Sequence, residues 1–452
     1  MIRKRRISLG VSVGVALAVA AGPTPAAPQS GTTVFVDVAV LPMDRERILE
    51  NQTVVVQGGV IQELAPSHRV QVPDGARIID GQGLFLMPGL ADMHVDLPSA
   101  QATSEQVADF MFLLLASNIL AARGMEGTSN HLRIKREVAS GEILGPTIWV
   151  GAPPLGGANA QDTIQTVEQM LANRSAGYDY QTIYGDFPLE VWEAMAEEAH
   201  SRGYTFGGTI PPSIGLRTAL STGISTVEHL DGYLGEVVSD DVKSRLDAGE
   251  PVSLAVQLEA VEGRKTRAMA AHTRSSDTWV VPTLHALESR FTARNVDSLL
   301  TLPEMAYVPS YISDAWILEA GSGPAADSAT GALMVQVHRR ILRSLTMAGV
   351  GVLMGTDTPG LFHVPGFSLR HELRSLQAAG LTPYEILVTG TRNVAEYARR
   401  ELLEESNFGT VEAGNRADLL LLRANPFDDL EALWDQEGIM VRGRWMDRKS
   451  VV

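Results

Sequence analysis

The chain has 452 residues, of which 45% are hydrophobic and 20% charged, and it contains no cysteine. This is the composition of a globular protein with enough apolar residues for one large core. Disulfides, thiolate metal sites and cysteine nucleophiles are excluded, so any metal must be held by histidine or carboxylate ligands. The formal charge of −16 would repel phosphate backbones, and we therefore expect no nucleic acid partner.

The first thirty residues have the parts of a secretory signal peptide. Four cations at positions 3–6 precede an apolar run over residues 7–21, and small residues and prolines follow as far as Ser30. We therefore exclude residues 1–30 from the fold and expect an exported protein, periplasmic or secreted, with no membrane association once the signal is removed. Loss of the four cations makes the formal charge −20.

Short strands and glycine-rich turns mark both ends of the mature chain. Residues 33–41 alternate as a strand does, and residues 53–61 predict a hairpin with a turn at Gly58-Gly59. Strand-like segments of the same kind return at 417–422 and 439–444. We expect residues 31–86 and 405–452 to pair into one small composite β-sandwich.

Between these ends, over residues 87–404, strands alternate with helices. Helices are predicted at 104–122, with a serine cap, at 189–202, and from Thr382-Pro383 onwards. Apolar runs such as 278–282 predict the intervening strands. This alternation predicts an α/β domain with a parallel (β/α)₈ TIM barrel, whose chemistry would lie at the C-terminal ends of its strands.

Several motifs in chain order carry a resemblance to a known family. The segment LMPGLADMHVD at 86–96 has the form of a first barrel strand that ends in a histidine. Further matches cover the fourth, fifth, sixth and eighth strands and the returning β-segment, at 177–184, 203–209, 225–229, 355–357 and 414–419. Together they resemble the amidohydrolase superfamily, in its imidazolonepropionase-like and prolidase-like branch, over nearly all of residues 32–447.

The resemblance implies a metal site that is only partly kept. Family members hold one or two divalent metals with a His-x-His pair, a carboxylated lysine, two further histidines and an aspartate. His94, His229 and Asp357 match that pattern. The remaining three positions differ from it, and carry Asp96, Thr182 and Thr209. None of the five lysines follows a predicted barrel strand, so we expect no bridging carbamate and at most one metal.

The predicted ligands of that single metal are His94, Asp96, His229 and Asp357. His94 and Asp96 are two residues apart on a strand and so project to the same side. Zn²⁺ is the first candidate, with Fe²⁺ or Mn²⁺ as alternatives for an oxygen-rich set. Asp357 would take the proton of the attacking water and pass it to the leaving nitrogen, while His229 would ligate the metal or polarise the substrate carbonyl.

Other residues are candidates for substrate binding. Tyr184 follows the fourth strand, His285 the seventh and His363 the eighth. Arg123 corresponds to an arginine common in the family after strand two, although an ion pair with a nearby acid explains it equally well. Asp231, two residues after His229, is an alternative metal ligand.

Two functions remain open from the sequence. The first is hydrolysis of amide or cyclic amide C–N bonds in a small-molecule substrate. The second is small-molecule binding without catalysis or metal, because threonine at two ligand positions removes charge and donor atoms together. No glycine-rich phosphate loop, Gly-x-Ser-x-Gly elbow or His-Glu-x-x-His helix is present. The sequence is compatible with a homo-oligomer but does not specify one.

Overall fold

The computed structural model describes residues 31–291, 296–322, 328–405 and 407–451. The predicted signal peptide lies outside these residues. Within them, no helix has the length and apolar character that crossing a membrane requires. The strands are β1 (Thr32–Val40), β2 (Leu49–Gln57), β3 (Val60–Pro66), β4 (Arg77–Asp80), β5 (Phe85–Pro88), β6 (Leu90–Val95), β7 (Ile119–Gly124), β8 (Thr147–Val150), β9 (Gln181–Ile183), β10 (Phe206–Gly208), β11 (Thr226–Glu228), β12 (Trp279–Val281), β13 (Leu419–Leu422), β14 (Gln436–Val441) and β15 (Arg444–Asp447).

Helices fill most of the segments between these strands and extend to the end of the described chain. The α-helices are α1 (Ser104–Ala116), α2 (Ser129–Ser140), α3 (Thr163–Ala176), α4 (Leu189–Ser201), α5 (Gly215–Ser221), α6 (Tyr233–Val237), α7 (Asp240–Asp247), α8 (Leu254–Glu259), α9 (Gly263–Ser275), α10 (Leu284–Phe291), α11 (Val296–Leu300), α12 (Ser310–Ser322), α13 (Ser328–Met347), α14 (Ser368–Ala378), α15 (Pro383–Thr389), α16 (Arg392–Glu401) and α17 (Arg448–Val451). Short 3₁₀ helices span Ser67–Arg69, Gly157–Asn159, Pro303–Tyr307 and Leu430–Trp434.

Strands from both ends of the chain lie in one eight-stranded sheet, in the order β15-β14-β13-β5-β1-β2-β3 with β4 beside β1. Antiparallel pairing of β5 with β13 joins the two ends and sets Met87 opposite Leu420. The β2–β3 hairpin turns at Gly58 and Gly59, whose positive φ angles of 61° and 81° suit glycine at both positions of a tight turn. Because all eight strands belong to a single sheet, the predicted two-layer sandwich is not confirmed.

The central region contains two parallel sheets, β6-β7-β8 and β9-β10-β11-β12. Every residue of β6, β7 and β11 is buried, as expected of parallel strands that are covered on both faces. The isolated parallel bridge between Gly151 and Tyr180 links the sheets on one side, and on the other side the segment 352–358 links them through Val280–Val352 and Val95–Thr358. Among the described residues the assigned strands therefore form two sheets connected at their edges, in a mixed α/β fold.

The helix predicted at 104–122 is shorter in the structure. It ends at Ala116, and Asn118 has a positive φ of 69°. Its cap is Thr103, which forms a capping box with Gln106, rather than the predicted Ser104. The apolar residues after Asn118 form β7, because a short apolar run suits a buried strand as well as a helix. By contrast, α15 begins as predicted, with Thr382 as cap and proline at its first position.

Candidate active site

Three metal-compatible side chains converge where the parallel strands end. His94 belongs to β6, His229 directly follows β11, and Asp357 lies in the segment that bridges β12 and β6. One donor atom from each lies within 4.8 Å of the others. Three of the four ligands predicted from the sequence are therefore brought together.

The hydrogen bonds of the two histidines fix which ring nitrogen carries the proton. Nδ1 of His94 lies 2.8 Å from Oε2 of Glu228, and a carboxylate can only accept, so this nitrogen donates. Nδ1 of His229 lies 2.7 Å from the hydroxyl of Thr283, which donates its own proton to the Pro282 carbonyl. In the neutral form of each ring, Nε2 is left with a lone pair, which is the state a metal ligand needs.

A buried arginine holds Glu228 in place. Arg123 on β7 and Glu228 are both fully buried, and Nη2 of Arg123 donates to Oε1 of Glu228 at 2.7 Å. The guanidinium also donates to three oxygens of the surrounding protein, namely the Met93 carbonyl and the Thr226 and Tyr397 hydroxyls. Arg123, predicted as a substrate-binding residue, has no exposed surface in this conformation and acts on the site through Glu228.

The protein imposes opposite shifts on the two histidine pKa values. Burial alone would lower the pKa of His94, but hydrogen bonds and charges from Asp357 and Glu228 raise it to about 10. Burial and the neighbouring charge of His94 lower the pKa of His229 to about 4. His229 is therefore a neutral imidazole at pH 7. His94 is protonated at this pH unless a metal ion displaces the proton from its ring.

Asp357 is an ionised carboxylate with different partners on its two oxygens. Oδ1 lies 3.3 Å from Nε2 of His94, and Oδ2 accepts a hydrogen bond from Arg290 at 3.1 Å. Burial would raise the pKa of Asp357, but His94, His229 and Arg290 lower it below its usual range. Arg290 is a residue that the sequence analysis missed, because a single arginine on a helix has no pattern that separates it from a surface arginine.

The backbone is strained where the site is built. The φ angles of His229, Thr283 and Asp357 are 57°, 41° and 60°, in the left-handed region that non-glycine residues seldom adopt. Such conformations cost of the order of 1–3 kcal/mol each and persist where surrounding contacts hold them. Here they turn the side chains that follow the strand ends towards one another.

The distances within the group suit a small divalent ion. In tetrahedral coordination with bonds of about 2.1 Å, two ligand atoms lie about 3.4 Å apart. The separation of 3.3 Å between Nε2 of His94 and Oδ1 of Asp357 matches that edge. Glu228 behind His94 supplies the carboxylate that commonly orients a metal-binding imidazole. The residues present therefore fit one metal.

The fourth predicted ligand, Asp96, occupies a different position. It is outside the group of donor atoms that lie within 4.8 Å of one another and lines a cavity of about 670 Å³ beside the site. Burial, together with the charges of Asp357 and Glu126, raises the pKa of Asp96 to about 6 although His94 opposes the shift. The structure thus places it at the border of the metal-compatible group.

The chain is similar to known proteins in sequence and in fold. No family model matches the sequence. The chain is 25% identical over 385 residues to an adenine deaminase of Deinococcus deserti, which is 84% of this chain and 55% of that protein, so it spans about half the length of this curated relative. A candidate prolidase from Bifidobacterium longum superimposes with a TM-score of 0.66 at 24% identity, over 92% of this chain and 95% of that one. Bottromycin amidohydrolase superimposes with a TM-score of 0.69 at 23% identity, over 93% and 88%.

The chain has the amidohydrolase fold. The fold implied by the resemblance found in the sequence is confirmed by these structural neighbours.

Two ligand positions of the amidohydrolase pattern are filled by neutral, packed residues. Thr182 is only 3% exposed and donates its hydroxyl proton to the Met125 carbonyl at 2.6 Å. Thr209 donates to the Ile183 carbonyl at 3.4 Å. The four lysines of the described residues all lie on helices: Lys135 on α2, Lys243 on α7, Lys265 on α9 and Lys449 on α17. None can supply the carbamate of a second metal at the strand ends.

The remaining predicted residues of this amidohydrolase-like site are dispersed. His285 and His363 contact each other, with ring centroids 4.9 Å apart and an interplanar angle of 47°, and neither belongs to the metal-compatible group. Tyr184 is 61% exposed. Asp231 lines a second cavity, of about 270 Å³, together with His229 and Arg290, and burial raises its pKa.

Glu228 is the functional residue whose signal was present in the sequence but overlooked. It lies in the buried apolar strand β11, and Arg123 lies in the buried apolar strand β7. A charged residue inside a buried strand needs an opposite charge as partner. Two such residues of opposite charge, on buried strands of the two parallel sheets, indicate an internal ion pair beneath the site.

Proposed function

We propose that this protein hydrolyses amide or cyclic amide C–N bonds in a small-molecule substrate, with at most one divalent metal held by His94, His229 and Asp357. The observation that carries the proposal is the convergence of these three donors, with Nδ1 of each imidazole bonded to a protein oxygen so that Nε2 is the nitrogen left for a metal. The matched relatives are named as a deaminase, a prolidase and an amidohydrolase, names that denote cleavage of C–N bonds.

A divalent ion at this place, Zn²⁺ before Fe²⁺ or Mn²⁺, would acidify a water and polarise the scissile carbonyl. The remaining steps belong to the chain. Asp357 accepts the proton of the attacking water and returns it to the leaving nitrogen. Arg290, which contacts Oδ2 of Asp357 and lines the small cavity, keeps that oxygen oriented towards the substrate side. Arg123 and Glu228 hold the ring of His94.

The alternative, a binding protein without catalysis, is favoured by one observation. Protonated His94 lies between Glu228 and Asp357, which satisfy both of its ring nitrogens. This arrangement is balanced in charge without an ion, and it would suit a protein that uses the barrel mouth for binding alone.

Metal content and turnover, measured together, separate the two functions. The mature protein is saturated with Zn²⁺, Fe²⁺ or Mn²⁺, freed of excess metal, and analysed for bound metal and for release of amine from a panel of acyl amides, dipeptides and lactams. The enzyme proposal expects close to one ion per chain and amine release that a chelator abolishes. Less than about a tenth of an ion per chain, together with no amine release, would support the binding protein.

Two further inferences concern the domain organisation of the chain and its export. We infer that the two linked parallel sheets form the eight-stranded TIM barrel, with residues 87–404 as its domain and the two chain ends packed as a sandwich. We also infer that residues 1–30 direct export to the periplasm or medium. Mass spectrometry of the mature N-terminus after expression in a secreting host tests the inference of export.

A further inference from the structure

The cavity of about 670 Å³ is called here the large cavity. Its apolar walls come from α1 through Phe110 and Leu113, from α12 through Ile312 and Trp316, and from the loop before α14 through Val364. Trp316 and Val364 also belong to one buried apolar cluster, so this wall is a packed surface. A volume of this size lies within the range of about 300–1,000 Å³ that is typical of ligand-binding pockets.

The large cavity adjoins the candidate active site. Asp96, two residues after His94, and Pro359, two residues after Asp357, both line it. The backbone N–H of Asp96 donates to the Thr358 carbonyl at 2.7 Å, which fixes these two segments side by side. A substrate held at His94 and Asp357 can therefore extend into the cavity on this side.

The charged groups of the lining have one sign. Asp96 and Asp109 line the large cavity, and none of the described residues that line it is a lysine, arginine or histidine. An apolar wall with two carboxylates attracts hydrophobic groups and repels anions. The small cavity on the other side, by contrast, has the cationic side chain of Arg290.

We propose that the large cavity is the specificity pocket for a bulky apolar substituent on one side of the scissile C–N bond, and that it rejects a substituent that ends in a negative charge. This inference rests on the proposed function, since it assigns the substrate class of the same site. It makes Phe110 and Leu113 specificity-determining residues that touch the substituent and take no part in bond cleavage.

Equilibrium binding tests the pocket without requiring turnover. The probes are the N-methylamides of acetic, hexanoic and decanoic acid and the mono-N-methylamide of decanedioic acid, measured by calorimetry, with each probe shown to be intact afterwards. Affinity should rise about two- to fourfold per methylene while the chain fills the cavity. The terminal carboxylate should weaken binding by at least about tenfold relative to the decanoic probe.

Two variants and a matched control place the probe in the cavity. Phe110→Ala should weaken binding of the decanoic probe about five- to tenfold and leave the acetic probe unchanged. Leu113→Trp should fill part of the cavity and shift the preferred chain to the hexanoic probe. Phe112→Ala is the control, because Phe112 lies on the same helix, is 38% exposed and is absent from the lining.

The outcomes are separable from those of the proposed function. Equal affinity along the chain series, or equal affinity for the carboxylate probe, overturns the pocket even if the protein hydrolyses amides. A chain-length preference that Phe110→Ala and Phe112→Ala reduce equally also overturns it. Selective loss in Phe110→Ala supports the pocket even if no amide is cleaved, in which case only the proposed function fails. Thermal unfolding of each variant confirms that it is folded.

Discussion

The two halves of the candidate site differ in charge and in packing. The half built by β6, β11 and the segment around Asp357 brings an imidazole, a second imidazole and a carboxylate together above a buried ion pair. The half built by β9 and β10 presents Thr182 and Thr209, whose hydroxyls bond to backbone carbonyls. We call them the charged half and the threonine half.

The difference shows that neutral, hydrogen-bonded side chains can fill one half of the site while the other half keeps three metal-compatible donors. The hydroxyl of Thr182 is satisfied by the Met125 carbonyl, so this side chain leaves no buried polar atom unpaired. In the charged half every group depends on another, because His94 contacts both Glu228 and Asp357. Variants in the charged half should therefore have large effects on chemistry, and variants in the threonine half should affect stability alone.

The largest effect is expected at Asp357. Asp357→Asn keeps the shape of the side chain but removes the negative charge and the proton acceptor, so amide hydrolysis should fall by about 10²–10⁴-fold. The rate is measured at saturating metal and substrate. Asp240→Asn, at a carboxylate that is 89% exposed, is the control and should retain full activity. Unchanged hydrolysis in Asp357→Asn would show that the charged half is not the active site.

Glu228→Gln tests whether the ion pair beneath the site supports it. The change leaves the buried charge of Arg123 without a counter-ion, so the free energy of unfolding should fall by about 3–5 kcal/mol. Loss of the carboxylate behind His94 should also weaken metal binding about 10–100-fold. Urea denaturation and zinc calorimetry measure the two effects.

A second substitution separates these effects. Arg123→Met in the Glu228→Gln background removes the unpaired charge and should restore part of the stability without restoring metal affinity. Glu198→Gln is the surface control, because its pair with Arg202 is partly exposed and should contribute less than about 1 kcal/mol. A loss in Glu228→Gln no larger than in this control would contradict the structural role of the pair.

Thr182→Lys tests whether the threonine half has room for the family's lysine. An added Cβ at the neighbouring Gly151 would lie 2.3 Å from the Thr182 hydroxyl oxygen, which shows how closely the two strands approach. A longer, charged side chain at 182 should lower the free energy of unfolding by about 3 kcal/mol. Bound metal should stay at no more than one ion per chain.

Thr182→Ser keeps the hydroxyl and is the matched control for that measurement. Its free energy of unfolding should lie within about 1 kcal/mol of that of the parent protein, since only a methyl group is lost. A stable Thr182→Lys variant that binds two ions would show that the threonine half still holds the space of a second metal position.

The sequence predicted the three donors of the charged half better than it predicted the residues around them. His94, His229 and Asp357 were found because they stand in ordered motifs at strand ends. Asp96 was placed among the ligands by alternation along a strand, yet it lies at the border of the group and lines the large cavity. Strand periodicity gives the side to which a residue points, but not the distance between side chains from separate strands.

Other parts of the structure could not be predicted from the sequence. Residues 119–124 fit a helix as well as the buried strand that they form. A helix and a strand that are buried on every face are both mostly apolar, so a short run does not separate them. The large cavity depends on α12, which reaches α1 only in three dimensions. Contacts between elements so far apart in the chain leave no local pattern.

The smallest effect concerns one contribution to the pH dependence of stability, that of Asp96 at the border of the charged half. Without metal, burial together with Asp357 and Glu126 raises the pKa of Asp96 to about 6, from 3.8. Between these values the folded state binds more protons than the unfolded state, so this group lowers stability as pH rises from about 4 to 6 and adds no slope above that. Asp96→Asn should remove that contribution.

The comparison is made in chelator, by urea denaturation at pH 4 and at pH 7. Relative to the parent protein, Asp96→Asn should be more stable at pH 7 than at pH 4 by about 1–3 kcal/mol. Thr209→Val, in the threonine half, replaces a side chain that does not titrate and should shift stability equally at both pH values. A pH-independent difference in Asp96→Asn would mean that Asp96 is ionised at little cost, and hence that the border of the charged half is open to water rather than dry.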